Sequence, residues 1–111
     1  MQFQVEEVEG KYIVRLHGRV DTITAPGIEE KLHLLYKKEA AHVLVDFSAV
    51  DYLSSAGLRL LLSTSKKAKS SQGSFVIFSV DEDVLEIIKM AGFERVIAIC
   101  KNETEALQAG S

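Results

Sequence analysis

Val43-Leu44-Val45-Asp46-Phe47-Ser48-Ala49-Val50-Asp51-Tyr52-Leu53-Ser54-Ser55-Ala56-Gly57-Leu58-Arg59 is the stretch that decides the fold. Its first three residues form a short continuous apolar run, the pattern of a strand covered on both faces. Asp46 is read as closing that strand. From Ser55 onward the spacing changes to that of a helix, over about residues 55–71. Leu58, Leu61, Leu62, Ser65 and Ala68 fall on one side of it, and Arg59, Ser63, Lys66 and Lys67 on the other. A buried strand followed within a few residues by an amphipathic helix is half of a β-α-β unit.

Working outward, the same alternation continues in both directions. Downstream, Gly73 breaks the helix and Phe75-Val76-Ile77-Phe78 reads as another buried strand. Asp81 can cap a third helix, with Val84, Leu85 and Ile88 as its apolar contacts and Gly92 as its stop. Val96-Ile97-Ala98-Ile99 reads as a last short strand. Asn102 followed by Glu105 resembles a capping box for a final short helix, and a disordered tail is expected near 109–111. Upstream, residues 2–8 and 11–18 read as strands joined at Glu9-Gly10, where glycine can take a positive φ. In the second of them Tyr12, Val14 and Leu16 alternate with Ile13, Arg15 and His17, implying one buried and one mixed face. Ile28, Leu32, Leu35 and Tyr36 give the core stripe of a helix over about 24–39, with Pro26 tolerated in its first turn. The order β-β-α-β-α-β-α-β-α predicts a single α/β domain over residues 1–111. Its sheet should be mixed and four- or five-stranded, an initial hairpin and then mainly parallel strands, packed with about four helices.

Composition narrows the function. The 111 residues suit one domain, with 47% hydrophobic and 26% charged residues. A net charge of -3 argues against nucleic acid, which demands a positive footprint. Lys66-Lys67-Ala68-Lys69 reads as a solvated helix face rather than an RNA or lipid patch. No apolar run is long enough to span a bilayer, so direct membrane insertion is not expected. With Cys100 as the single cysteine, no intrachain disulfide can form, and a cytoplasmic setting is the expectation.

Two adjacent serines, Ser54 and Ser55, fall where the second helix begins, at the strand carboxyl ends where open parallel sheets meet ligands and partners. A serine hydroxyl there can cap free amides. A phosphate on the same oxygen would be stabilised by those amides and by the helix dipole, and would display about two negative charges. Read from the residues alone, either serine could be simply an N-cap, with Gly57 there only to allow close helix packing.

The string V-D-F-S-A-V-D-Y-L-S-S-A-G-L-R-L-L-L, residues 45–62, resembles the signature of STAS domains, the family of bacterial anti-sigma factor antagonists. L-H-G-R-V-D-T-I-T-A, residues 16–25, resembles that family's second strand and its turn into the first helix. The likeness runs on through F-V-I-F-S-V and I-I-K-M-A-G-F. The resemblance implies a phosphorylated serine two residues before the glycine of the G-L pair, which is Ser55, with Ser54 as the runner-up. It implies a partner anti-sigma factor with serine kinase activity that binds and phosphorylates the unmodified form. A phosphoserine phosphatase of the metal-dependent type would reverse the step. ATP and the metal would belong to those partners, and no cofactor is implied for this chain, which has no P-loop pattern. Asp21 matches the acidic residue of the family's G-x-x-D turn, either shaping the docking surface or serving the local turn. Asp46 matches a strand-ending aspartate, expected to bond nearby backbone amides. One departure is that the best-known sporulation and stress-response antagonists place Asp directly before the phosphorylated serine, where this chain has Ser54. The resulting expectation is a docking surface of Asp21, Thr22, Thr24, Ser54, Ser55 and Arg59. Leu60 and Ser63 extend it along the helix, Leu60 because it falls off the main apolar stripe, although it could equally pack on the flank.

Other classes fit less well. A hydrolase elbow would read G-x-S-x-G, and Leu53-Ser54-Ser55-Ala56-Gly57 lacks its first glycine. His17, His33 and His42 are scattered over three elements, with neither triad nor metal-ligand spacing. The chain is therefore read as a non-enzyme. The rival within the resemblance is a non-phosphorylated STAS subunit of a lipid-transport ABC system. STAS domains also regulate anion transporters, where they are ordinarily fused to membrane spans.

Overall fold

Glu9 and Gly10 both take positive φ, 54° and 79°, as the two central residues of a type I′ hairpin turn do. This turn folds strand β1 (Gln2–Val8) back on β2 (Lys11–Val20), in antiparallel register from Gln2 opposite His17 to Val8 opposite Lys11. The computed structural model describes residues 2–37 and 40–109. β2 pairs in parallel with β3 (His42–Leu53), β3 with β4 (Ser74–Phe78), and β4 with β5 (Ala98–Cys100). The mixed sheet thus has five strands in chain order.

Helices α1 (Ala25–Leu35), α2 (Ser55–Ser70) and α3 (Glu82–Met90) connect the parallel strands, and α4 (Glu103–Ala109) follows the last one. Because every crossover steps in the same direction, right-handed connections put α1, α2 and α3 on one face. There Val14, Val43, Val45 and Ile77 pack with Ile28, Leu32, Leu61 and Ile88. On the other face Ala106 of α4 closes over Ile13, Leu44, Val76 and Phe78. Ile13 is therefore fully buried, whereas alternation alone placed it on a mixed face. Arg15 on the same side links Glu6, Asp46 and Glu103 at 2.9–3.0 Å, tying β1, β2, β3 and α4 together.

Three expectations are corrected. Asp46 does not close β3, which runs on to Leu53, opposite Val20. Beyond Asp46 the buried residues are Phe47, Val50 and Leu53, at every third position. Two register shifts against β2, between Arg15 and His17 and between Gly18 and Arg19, each give β3 an extra residue and reset its alternation. The second correction concerns α1, which ends at Leu35 rather than near 39. Tyr36 turns inward to donate a 2.6 Å hydrogen bond to the Ser74 carbonyl; residues 38 and 39 lie outside the described residues. Third, the buried stripe of α2 is Gly57, Leu60, Leu61, Thr64, Ser65 and Ala68, with Leu58 and Leu62 only half-buried. Smaller adjustments occur at the C-terminal end. A 3-10 turn over Phe93–Arg95 delays β5, and Ala109 belongs to α4, while the rest of the expected tail, 110 and 111, lies outside the described residues. Asn102 caps α4 as expected, accepting from the Glu105 amide at 2.9 Å.

Candidate functional site at the start of helix α2

Ser54 is fully committed to the fold. Its N–H donates to the Val20 carbonyl at 2.9 Å, its own carbonyl accepts from the Leu58 amide at 2.9 Å, and its Oγ accepts from the Gly57 amide at 3.3 Å. With φ -89° and ψ 178° it is the N-cap of α2. Ser55, the first residue of the helix, is exposed, and its hydroxyl has no hydrogen-bond partner among the described residues. The two serines are adjacent in sequence and opposite in role.

The bond from Ser54 to Val20 brings the end of β3 against the end of β2, and so against the turn into α1. Asp21 builds that turn. Its Oδ1 accepts from the amides of Ile23 and Thr24, both at 3.0 Å. Thr24 Oγ1 accepts from the Asp21 amide at 2.9 Å and donates to the Arg19 carbonyl at 2.7 Å. The Thr24 amide, foremost among these donors, holds the Asp21 carboxyl below the usual aspartate range. Its other oxygen lies 3.6 Å from Arg19 Nε, and the Arg19 guanidinium stands 4.1 Å over the Tyr52 ring. This closed ring of bonds presents Thr22 and Ile23 outward.

Thr22, Ala25, Pro26 and Glu29 on one side, with Ala56, Arg59 and Leu60 on the other, line a shallow groove of about 240 Å³. Arg59 is exposed and makes no ion pair among the described residues. Leu60 is only 3% exposed and packs into the core. The expectation that it lies off the apolar stripe is therefore corrected: it forms the groove floor, because burial of Gly57 rotates α2 to put position 60 inward. Ser63 is half-buried, with its Oγ 3.2 Å from His33 Nε2 of α1. Together with Arg59, Leu62 and Lys66 it lines a second depression farther along α2.

The structure thus brings Asp21, Thr22, Thr24, Ser54, Ser55 and Arg59 to one end of the domain. Asp46 is not part of this end. Its Oδ1 accepts from the Ser48 amide at 2.8 Å and its Oδ2 meets Arg15. Burial pushes its carboxyl up, and the Ser48 amide and Arg15 outweigh that, leaving it below the usual range. The histidines stay apart: His17 is exposed, His33 meets Ser63, and His42 Nδ1 lies 2.8 Å from Ser74 Oγ. Among the described residues no group of His, Cys, Asp and Glu could hold a metal ion, and no helix is long and apolar enough to cross a membrane.

Sequence reasoning passed over Ile23, which is 88% exposed in the Asp21 turn. An isoleucine between two threonines, in a turn fixed by an aspartate, was the available signal. Arg19 and Tyr52, stacked beside that turn, were also missed, because the bulges that pair them cannot be read from alternation.

The STAS domain family model matches residues 2–106. The chain belongs to the STAS domain family. Among its relatives is a Bordetella bronchiseptica protein provisionally named anti-sigma factor antagonist BtrV, 28% identical over 109 residues, 98% of this chain and 94% of that protein. The anti-sigma-B factor antagonist of Listeria monocytogenes is 24% identical over 106 residues, 95% of this chain and 93% of that one. The crystal structure of an anti-sigma factor antagonist from Mycobacterium paratuberculosis superposes with a TM-score of 0.88 at 25% identity, covering 98% of this chain and 92% of that chain. STAS anti-sigma factor antagonists are regulatory binding proteins, not enzymes.

Two outcomes follow for this STAS domain. Ser54→Ala removes the cap and should lower unfolding free energy by about 1 kcal/mol, whereas Ser55→Ala should stay within about 0.5 kcal/mol of the parent, as read by urea denaturation. Since the Asp21 carboxyl is held below its unfolded value, its contribution is present above about pH 4 and lost as pH falls through the lowered value. The urea midpoints of the parent and Asp21→Asn should therefore converge on acidification from pH 6 to pH 3.

Proposed function

We propose that this STAS domain is an anti-sigma factor antagonist switched by phosphorylation of Ser55. The observation that carries the reading is the division between the two serines: Ser54 is used up as the helix cap, and Ser55 is exposed with no hydrogen-bond partner for its hydroxyl among the described residues. Unmodified, the domain binds an anti-sigma factor that is also a serine kinase, and so frees a sigma factor. The kinase holds ATP; the Ser55 oxygen bonds to the γ-phosphorus as the bond to the departing ADP breaks, and the hydroxyl proton passes to a base of the kinase. A metal-dependent phosphoserine phosphatase returns the hydroxyl by hydrolysis. These exchanges belong in the cytoplasm, where ATP and sigma factors are found.

The physical basis is the location of the phosphate. At the first residue of α2, its roughly two negative charges meet the positive end of the helix dipole, so the fold persists. The same charges would face any partner docked there. The proposed docking surface comprises Asp21, Thr22, Thr24, Ser54, Ser55, Arg59 and Ser63, with Leu60 beneath it and Ile23 as an exposed apolar contact. Asp21 serves it by shaping the turn that carries Thr22 and Ile23.

The test is the affinity of the anti-sigma factor kinase for three forms. Ser55→Ala should bind like the unmodified domain and, with ATP present, remain bound. The chain phosphorylated at Ser55 should bind at least about tenfold more weakly, a loss of about 1.4 kcal/mol. Equal affinity for the unmodified and phosphorylated chains would overturn the switch.

A further inference from the structure

Arg59 lies four residues after Ser55 in α2, and residues four apart are neighbours on a helix surface. Side chains on a helix lean toward its N-terminus, which puts Ser55 within the range of an Arg59 side chain that also borders the depressions on either side of it. Both are exposed, and neither has a partner among the described residues. The first turn of α2 contains no acidic residue to occupy Arg59. Of the charged groups around it, Asp21 is bonded within its own turn and to Arg19. Glu29 of α1 lines the same groove as Arg59 without pairing with it, and Lys66 lies farther along the helix.

We propose that Arg59 is the internal receptor for a phosphate on Ser55. Resting on the Ser55 reading above, this assigns Arg59 two partners in turn: the docked protein when Ser55 is unmodified, and the phosphate once it is modified. An acid at position i and a base at i+4 is the favourable order on a helix. The guanidinium fork matches two phosphate oxygens, a charge-assisted arrangement stronger than an ordinary surface pair. Phosphorylation then does more than add negative charge. It draws Arg59 out of the groove it shares with Thr22 and Glu29, so a partner loses a cationic contact while meeting a new anion.

The experiment uses the full 111-residue chain with phosphoserine incorporated at position 55 during synthesis, so pairing is read without any kinase. Phosphorus NMR titration gives the second ionisation of the phosphate in the parent, in Arg59→Gln and in Lys66→Gln. The parent should ionise about 0.3 pH unit or more below Arg59→Gln, a factor of about two or greater in proton affinity. Lys66→Gln, which removes a cation from the same helix about three turns from the phosphate, should match the parent. Titration of Arg59→Gln identical to the parent, or an equal rise in both variants, would overturn the pairing and leave the Ser55 switch standing. A lowered ionisation in the parent, alongside a Ser55 that the kinase leaves unmodified, would confirm the pairing and sink the switch.

Discussion

Gly57 is the point on which this structure turns. A Cβ at that position would lie 2.5 Å from Leu53 Cδ1, 3.0 Å from Val20 Cγ1 and 3.1 Å from the Val20 carbonyl oxygen. Without one, the first turn of α2 presses directly onto the ends of β2 and β3, and the Ser54 amide reaches Val20. That contact fixes the rotation of the helix. Once position 57 faces the sheet, positions 60, 61, 64, 65 and 68 must follow it inward. Positions 55 and 59 are left on the outside. The exposure of Ser55 and Arg59 is thus a consequence of packing at a residue that carries no side chain.

The overall architecture was legible because its signals are local. Val43-Leu44-Val45 announced a strand covered on both faces, Asp81 and Asn102 announced caps, and Gly10 announced a hairpin. What escaped depended on contacts between elements. The second half of β3 has its buried residues three apart, at Phe47, Val50 and Leu53, a spacing that alternation assigns to no strand. It becomes intelligible only beside β2, where two bulges reset the phase. The stripe of α2 was misjudged by treating leucines as the markers of burial. Gly57 and Thr64 belong to the buried face, and Leu58 and Leu62 sit at its margin. Ile13 looked half-solvated because nothing in its own strand reveals that α4 folds over it.

The candidate site divides along similar lines. The motif pointed to the end of the domain where α2 begins, but could not distinguish Ser54 from Ser55, since both are serines at a helix start. Hydrogen bonding distinguishes them: one oxygen is spent on the Gly57 amide and the other on nothing among the described residues. Asp21 shows the converse. The sequence leaves it either shaping the docking surface or serving the local turn; its carboxylate accepts from the Ile23 and Thr24 amides, and the turn so built exposes the neighbouring isoleucine. A stiff turn and a stiff helix start, joined through Val20, provide a surface that a single covalent group can alter without disturbing the core beneath it.

The most direct test of this account is position-resolved mass spectrometry of the chain after incubation with ATP and an anti-sigma factor kinase that binds it. The account predicts phosphate on Ser55 alone, and none on Ser54 even when Ser55 is replaced by alanine, because the Ser54 oxygen is held by the helix it caps. Phosphate on Ser54, in the parent or in Ser55→Ala, would contradict the division of roles on which the proposed switch rests.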